Sequence, residues 1–456
     1  MAENTLIMGD RGTFSKEQRR LPIAWLALGI TALALAGLFA ILLVLARTPG
    51  LSDWFPSVDF FRIALVVHVD QSVLIWFLAF AGVLSSLRSA APTVMAWLAF
   101  AIAALGCLLV AAAPFLGVGN PLLNNYVPVL AHPLFLAALL VFGAGILLQV
   151  LAYLGGAASR LSWQDPLGIG ILSTAVATLI AGLSLAWTWY GLSALWEGMA
   201  YYENLFWGAG HVLQFTYTQL MLVAWLWLAQ SLGRPMGLKA PWLSGLLVLG
   251  VLPLALVPVI YAVHTFDSAG IWQAFGNLMK HGNGLAAVPV GLILGVALVR
   301  HRNLPVAEDQ QPVYRALIAS VILFAAGGVL GVLIAGVNTI IPAHYHGAIV
   351  GVTLALMGLT YHLLPRLGFG RPVGAMARWQ PVVYGVGQVL HISGLAASGA
   401  MGIQRKTAGA AQGLESLGAK TAMGVMGLGG LLAVIGGILF VIVVLRAFTQ
   451  RTPAND

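Results

Sequence analysis

Twelve apolar stretches follow one another along this 456-residue chain, and each is long enough to cross a lipid bilayer, which takes about 20 residues of α-helix. In lipid every backbone N–H and C=O group must be bonded within the protein, so such stretches are predicted to be α-helices. Charged residues make up only 8% of the chain, against about 25% in soluble domains. We therefore predict an all-α integral membrane bundle with twelve transmembrane helices at approximately 22–46, 60–84, 93–114, 129–154, 167–190, 204–230, 242–265, 281–300, 314–338, 342–365, 379–402 and 421–447.

Basic residues are unevenly divided between the two sides of the membrane that this order of helices defines. With the N-terminus in the cytosol, sixteen Lys and Arg residues fall inside and six fall outside. Since cytoplasmic connections carry the excess of Lys and Arg, both termini are predicted to be cytosolic. Residues 1–21 and 449–456 are predicted tails, and residues 22–448 form one predicted transmembrane domain. The net charge of +8 comes from single residues scattered between helices, which predicts no nucleic-acid partner.

The chain contains one cysteine, Cys107, in the middle of an apolar stretch. One cysteine excludes a disulfide framework within the chain and a thiolate metal cluster, and no C-x-x-C-H haem-attachment motif occurs. Any haem bound by this chain is therefore held without thioether links, and an attached cytochrome c would have to be another polypeptide.

Five histidines are predicted to lie at similar depth, in the outer half of the membrane. Ionisable side chains inside membrane spans are costly and usually mark function. Neutral imidazole is also the commonest ligand of transition metals and haem iron. The sequence thus predicts metal or haem centres near the outer surface, built from His68, His211, His264, His344 and His346.

The tenth stretch opens with a His-x-His pair, His344 and His346. An α-helix turns by about 100° per residue, so residues two apart project to nearly opposite flanks. One helix could therefore serve two metal centres, one on each side. A single buried histidine is more often a hydrogen-bonded structural residue, but two this close at the mouth of a long apolar helix favour ligand roles.

These stretches resemble the catalytic subunit of the haem–copper oxidase superfamily, which includes cytochrome oxidases and bacterial nitric oxide reductases. The second stretch, FFRIALVVHVDQSVLIWFLAFAGVL, resembles the segment that supplies an axial ligand to a low-spin haem, here His68. The sixth, NLFWGAGHVLQF, resembles the W-x-x-G-H segment whose histidine binds the non-haem metal, here His211. The resemblance implies a membrane respiratory oxidoreductase in the bacterial inner membrane.

The same resemblance assigns the His-x-His pair and a basic segment. His344 resembles the ligand of the high-spin haem, and His346 resembles the second ligand of the low-spin haem. The segment MGIQRK resembles the paired-basic segment that binds haem propionates, which gives Arg405 and Lys406. The implied cofactors are a low-spin haem, a high-spin haem and one non-haem metal, copper or iron.

The seventh stretch departs from the family pattern. The family has two adjacent histidines as further ligands of the non-haem metal, whereas VIYAVHTFDSAG has Val263 before His264. We predict Asp267, one turn beyond His264, as the third ligand, and a carboxylate would favour iron or another hard metal over copper. Gln214 and His281 are alternatives, and an incomplete site is a further one.

The predicted substrate is a diatomic gas. Many oxygen reductases of the family that this chain resembles have a tyrosine one turn after the metal-binding histidine of the sixth helix. This chain has Phe215 at that position. Tyr217 is predicted to lie on another face, and Tyr261 is an unproven substitute. Helix eight lacks lysine and hydroxyl residues, and Leu213 replaces a glutamate of the oxidase proton route. These departures favour reduction of nitric oxide to nitrous oxide over reduction of oxygen to water.

Electrons and protons must come from outside this bundle. No cupredoxin or cytochrome c segment occurs in the chain, so we expect a partner subunit of either kind as the electron donor, with quinol as the alternative. Protons are predicted to enter from the outer side through Glu197 and Glu203. A haem-binding electron-transfer or assembly subunit without gas turnover is a further hypothesis, and an unrelated transporter would be expected to show paired repeats.

Overall fold

The computed structural model describes residues 14–47, 58–89, 93–116, 119–157, 161–192, 196–407 and 412–450. Within these residues, eleven helical stretches are long and apolar enough to cross a membrane. The described parts of the chain are almost entirely helical, with one two-stranded ribbon. The predicted all-α membrane fold is confirmed. Most of the two predicted tails lies outside the described residues.

The α-helices are numbered in chain order. Their bounds are α1 Lys16–Arg47, α2 Val58–Val69, α3 Trp76–Arg88, α4 Val94–Ala112, α5 Pro133–Ala157, α6 Pro166–Gly191, α7 Gly198–Ser231, α8 Ala240–Leu249, α9 Val257–Val263, α10 Ala269–Asn277, α11 Gly284–Arg300, α12 Gln311–Val332, α13 Ile340–Arg366, α14 Gly374–Ala400 and α15 Leu417–Thr449. Strand β1, Asn120–Leu122, pairs antiparallel with β2, Val129–Ala131, so that Asn120 lies opposite Ala131.

A twelfth helix of sufficient length, α14, is absent from the eleven because of its polar content. It spans 27 residues, long enough for a bilayer of about 30 Å. Its sequence includes Arg378, Gln380, Gln388 and His391, which lower its mean hydropathy. The predicted count of twelve therefore holds approximately, with one helix more polar than the rest.

Several predicted helix bounds were wrong for local reasons. The fourth predicted helix, 129–154, corresponds to α5. It begins at Pro133 rather than at 129, since residues 129–131 form β2 and a proline is favoured in the first helical turn. The eighth predicted helix, 281–300, corresponds to α10 and α11. Its helical structure begins earlier, at Ala269, where the Ser268 hydroxyl accepts a hydrogen bond from the Ile271 N–H at 3.3 Å. His281 therefore lies in a π-turn, Leu278–Gly282, instead of opening a helix.

The α-helical pattern is also interrupted inside two other membrane-spanning stretches. A six-residue π-turn, Asp70–Ile75, joins α2 to α3. Between α8 and α9 a 3₁₀ turn, Leu252–Leu256, contains Pro253, which has no N–H to continue the α-helical pattern. The seventh stretch ends at Val263, so His264 lies in extended backbone just beyond the helix.

The chain divides into two compact units. The first comprises the described residues of Met1–Leu33 and Val69–Arg302. Here α4 packs on α5 and α6 on α7, and Arg88 forms an ion pair with Asp165, the residue that caps α6. An apolar cluster that includes Val212, Phe215 and Phe275 supports the middle of α7.

The second unit comprises the described residues of Ala34–His68 and Asn303–Asp456. Its main helix pairs are α12 with α13 and α14 with α15. A Cβ on Gly429 would lie 2.8 Å from His391 Cα, and a Cβ on Gly387 would lie 2.5 Å from Ala433 N. Real Cβ contacts are essentially never this short, so glycine is required for the close approach of α14 and α15, as in other lipid-embedded helix pairs.

Candidate functional site

In the first unit, His211 on α7 is held in a defined orientation by its own helix. Its side chain is buried, and Nδ1 lies 2.7 Å from the carbonyl oxygen of Trp207, one turn earlier. Because a carbonyl can only accept, Nδ1 carries the proton and donates it. In the neutral ring Nε2 therefore carries the lone pair, which is the state in which imidazole binds a metal.

Tyr126 contacts the Nε2 side of His211. The Tyr126 hydroxyl lies 2.9 Å from His211 Nε2, and it donates because Nε2 is the acceptor. The two rings are 4.7 Å apart between centroids, and the Tyr126 ring meets Trp207 edge to face at 5.7 Å. A phenol oxygen and an imidazole nitrogen thus converge on one point next to α7.

The loop between β1 and β2 holds Tyr126 in place. The Asn124 side-chain oxygen accepts hydrogen bonds from the backbone N–H groups of Tyr126 at 3.0 Å and Val127 at 2.9 Å. Glu203 on α7 accepts from both the backbone N–H and the side-chain amide of Asn125. The loop is therefore attached to the helix that carries His211.

Gly210 makes room for the Tyr126 ring. A Cβ at this position would lie 2.5 Å from Tyr126 Cβ and closer still to the ring, so no larger residue fits without moving the tyrosine. The G-H sequence in WGAGH is explained here by the loop that packs on it.

Burial raises the pKa of Tyr126, and the negative charge of Glu203 raises it further. The phenol is therefore protonated at neutral pH in the metal-free protein. This protonation state agrees with its role as hydrogen-bond donor to His211.

Two other predicted metal ligands, His264 and Asp267, lie in the segment after α9. A Cβ on Gly270 would lie 2.5 Å from His264 Nδ1, so the imidazole packs directly on the start of α10. Asp267 is exposed and accepts a hydrogen bond from the indole N–H of Trp196 at 3.3 Å. Among the described residues, no three His, Cys, Asp or Glu side chains converge as a metal site. Metal binding by His264 and Asp267 stays a prediction.

Tyr261, considered as a substitute for the missing tyrosine, is hydrogen-bonded to α6. Its hydroxyl donates to the Ser184 carbonyl at 3.1 Å and lies 2.8 Å from Thr188 Oγ1, both on α6. Phe215 is fully buried in the apolar cluster beside α7. The tyrosine at His211 comes instead from the β1–β2 loop, which the sequence patterns did not indicate. The glycine directly before His211 is the feature that could have suggested a bulky neighbour.

In the second unit, the His-x-His pair opens α13 as predicted. His344 Nδ1 lies 2.7 Å from the Gly327 carbonyl on α12 and donates to it. A Cβ on Gly331 would lie 2.6 Å from His344 Nδ1, so α12 supplies both the acceptor and the space for this ring. His346 packs against His391 of α14 with 4.9 Å between ring centroids.

His68, near the end of α2, shares this arrangement. Its Nδ1 donates to the Ala36 carbonyl of α1 at 2.9 Å, and His391 Nδ1 donates to the Met426 carbonyl of α15 at 3.0 Å. A backbone carbonyl on Nδ1 fixes the tautomer and orients Nε2 for an iron or metal ion. His68, His344 and His211 therefore fit the ligand roles that the sequence predicts for them.

The predicted propionate-binding residues lie in the turn after α14. Arg405 and Lys406 are half-buried, and Lys406 has a left-handed backbone with φ of 60°. The Ile403 carbonyl accepts from the Thr339 N–H at 3.0 Å, which fastens this turn to the start of α13. The basic pair and the two histidines of α13 thus belong to one tethered region of the second unit.

Known proteins resemble the chain over nearly its whole length. The sequence profile of the family "Cytochrome C and Quinol oxidase polypeptide I" matches residues 20–445. An uncharacterized protein of Rickettsia prowazekii (strain Madrid E) is 28% identical, covering 94% of this chain and 96% of the relative. An uncharacterized protein of Aquifex aeolicus (strain VF5) is 30% identical, covering 78% of this chain and 88% of the relative.

A solved structure shares the fold. A chain of a heme-copper terminal oxidase dimer, determined by cryo-EM, superimposes with a TM-score of 0.74 at 17% sequence identity, covering 96% of this chain and 85% of that one. At this identity the likeness concerns the fold. The family match, together with the membrane-spanning helices and the shared fold, shows that the chain is an integral membrane protein that belongs to the haem–copper oxidase superfamily as a subunit I.

Proposed function

We propose that the protein is the catalytic subunit of a respiratory complex that reduces nitric oxide to nitrous oxide in the bacterial inner membrane, with both termini in the cytosol. Membership of the superfamily makes it an oxidoreductase. The choice of nitric oxide rests on Phe215, which is buried where many oxygen reductases have a tyrosine one turn after the metal-binding histidine. Coupling two molecules of nitric oxide needs two electrons and no such donor.

Each predicted ligand has a role in this proposal. His68 and His346 would hold the low-spin haem, His344 the high-spin haem, and His211 with His264 the non-haem metal. When bound, these groups would supply electron transfer and gas binding. The protein's own part is to fix each imidazole through Nδ1, as His211, His344 and His68 are fixed, and to place Arg405 and Lys406 for the haem propionates.

Oxygen reduction is the second candidate, and one contact favours it. Tyr126 donates a hydrogen bond to His211 Nε2, so a phenol is present at this histidine although α7 has Phe215 one turn after it. A phenol at the metal could supply the additional electron and proton that oxygen reduction requires. A haem-binding electron-transfer or assembly subunit is the hypothesis of a different class.

The deciding experiment is anaerobic turnover of the purified, reduced complex with nitric oxide and, separately, with oxygen. We expect nitrous oxide to form with one non-haem metal per two haems. Fast oxygen consumption with little nitrous oxide would support a terminal oxidase. Absence of turnover with either gas, together with absence of the non-haem metal, would leave the haem carrier.

The electron donor is proposed to be a separate cupredoxin-type or cytochrome c subunit, with quinol as the alternative. Protons would enter from the outer side near Glu197 and Glu203. Glu203 is hydrogen-bonded to Asn125 beside Tyr126, so its substitution would also loosen that loop. Turnover measured with reduced cytochrome c and with a soluble quinol would separate the donors.

A further inference from the structure

The non-haem metal site of the proposed function lacks the histidine that Val263 replaces, and an oxygen atom already lies at His211 Nε2. We propose that the phenol oxygen of Tyr126 is a ligand of this metal beside His211. The inference rests on the proposed function in one respect, that the His211 centre binds a metal ion.

The distance between the two donor atoms fits a shared ion. Nitrogen and oxygen ligands bind a transition metal at about 2.0–2.1 Å, so two neighbouring ligands of one ion stand about 2.8–3.4 Å apart. His211 Nε2 and the Tyr126 oxygen are 2.9 Å apart. Both atoms could therefore bind one ion once the phenol proton has left and the oxygen has moved off the axis of the Nε2 lone pair, where the ion would bind.

The orientation of His211 leaves no other approach for the metal. Nδ1 is occupied by the Trp207 carbonyl within the same helix, so an ion must bind at Nε2. That nitrogen is where the Tyr126 hydroxyl lies. An ion bound at His211 must either take the phenol oxygen as a ligand or displace the Tyr126 side chain.

Displacement is opposed by the packing of the β1–β2 loop. The Asn124 side chain accepts hydrogen bonds from the backbone N–H groups of Tyr126 and Val127, and Glu203 accepts one from the N–H of Asn125. The ring itself fills the space above Gly210. Ligation is the outcome that keeps these contacts.

Coordination exchanges one bond for another. The O–H bond of Tyr126 breaks, an oxygen–metal bond forms, and the proton passes to water on the side of the exposed Asn125. No electron is transferred in this step. A phenolate oxygen is a hard ligand, so it favours iron over copper(I), which prefers softer ligands.

The test compares Tyr126→Phe with Tyr202→Phe in the purified full-length protein supplied with ferrous iron or with copper and then oxidised. Tyr202 is a half-buried tyrosine on the same helix as His211, stacked on Phe206. Resonance Raman spectra report tyrosinate bound to a metal, and elemental analysis gives the metal-to-haem ratio. We expect Tyr126→Phe to lose the tyrosinate bands and to hold the metal on the order of tenfold less tightly against a chelator, with Tyr202→Phe unchanged.

A second pair of variants controls for the possibility that Tyr126→Phe changes the spectrum by disturbing the fold. Gly210→Ala keeps Tyr126 but places a methyl group against its ring, whereas Gly245→Ala on α8 has open space. The tyrosinate bands should weaken in the first and persist in the second, with normal haem spectra in both. Retention of the metal with an unchanged spectrum in Tyr126→Phe would overturn the inference. Tyrosinate bands in the unmodified protein without turnover of either gas would refute only the proposed function.

Discussion

The ligand-bearing regions of the two units are built differently. In the second unit, His344 and His346 are two residues apart on one helix, so their placement follows from the helical turn alone. In the first unit, the oxygen at His211 comes from a residue 85 positions earlier, on a loop between two short strands. His344 in the second region and His211 in the first are both fixed through Nδ1, but only the pair in the second region could be recognised from its spacing. A local pattern identifies a histidine pair on one helix and overlooks a partner that a loop supplies.

The largest effect that would test this contrast is the loss of a haem. His344→Ala should remove the high-spin haem, so that haem content falls by about half and carbon monoxide no longer binds the reduced protein. His211→Ala is the matched variant in the first unit and should keep both haems while losing the non-haem metal. Haem extraction spectra and carbon monoxide difference spectra measure both. Loss of haem in His211→Ala would contradict a division of ligands between the two units.

A smaller effect concerns the space that α12 leaves for His344. Gly331→Ala places a Cβ 2.6 Å from His344 Nδ1 and should destabilise the protein by about 1–3 kcal/mol through overpacking. Gly328→Ala, on the same helix with open space around it, should be neutral or stabilising by up to about 1 kcal/mol. Unfolding of both variants in mixed micelles provides the measurement. Equal stability of the two would show that His344 is not packed on Gly331.

The raised pKa of Tyr126 predicts that the free energy of unfolding depends on pH in the alkaline range. Its pKa is raised in the folded protein, so the fold binds the phenol proton more tightly than the unfolded chain does. The associated stability is fully present below the unfolded pKa of about 10 and falls as the pH rises above it, by up to about 1.4 kcal/mol per pH unit. The difference in unfolding free energy between metal-free wild-type protein and Tyr126→Phe should therefore shrink above pH 10 or so. A difference that is constant with pH would contradict the raised pKa.

The smallest predicted effect concerns the basic turn of the second unit. Lys406 has φ of 60°, a conformation that costs a non-glycine residue about 1–2 kcal/mol. Lys406→Gly should raise the free energy of unfolding by roughly this amount. It should also remove the predicted contact of the Lys406 ammonium with a haem propionate. Gly402→Ala, at φ of 85° in the same turn, should lower stability to a similar extent. The midpoint potential of the low-spin haem should fall in Lys406→Gly, because a positive charge is removed, and should not change in Gly402→Ala.

Much of the candidate site follows from the sequence because several of its predicted ligands lie on long helices. His68, His211 and His344 are on α2, α7 and α13 as expected, each with Nδ1 bonded to a carbonyl. The third metal ligand could not be assigned in the same way. Asp267 and His264 follow the end of α9, where no helical period fixes their direction, and Asp267 bonds to Trp196.

The membrane-spanning helices, their order and the opposite flanks of His344 and His346 follow from the amino-acid sequence, because hydrophobic length and helical rotation are local properties of the chain. Long-range packing accounts for the contact of Tyr126 with His211, the hydrogen bond from Tyr261 to α6 and the packing of His346 on His391. Each of these contacts joins segments far apart in the sequence. Their partners are set by which helices and loops pack together, and no short-range pattern of residues encodes that choice.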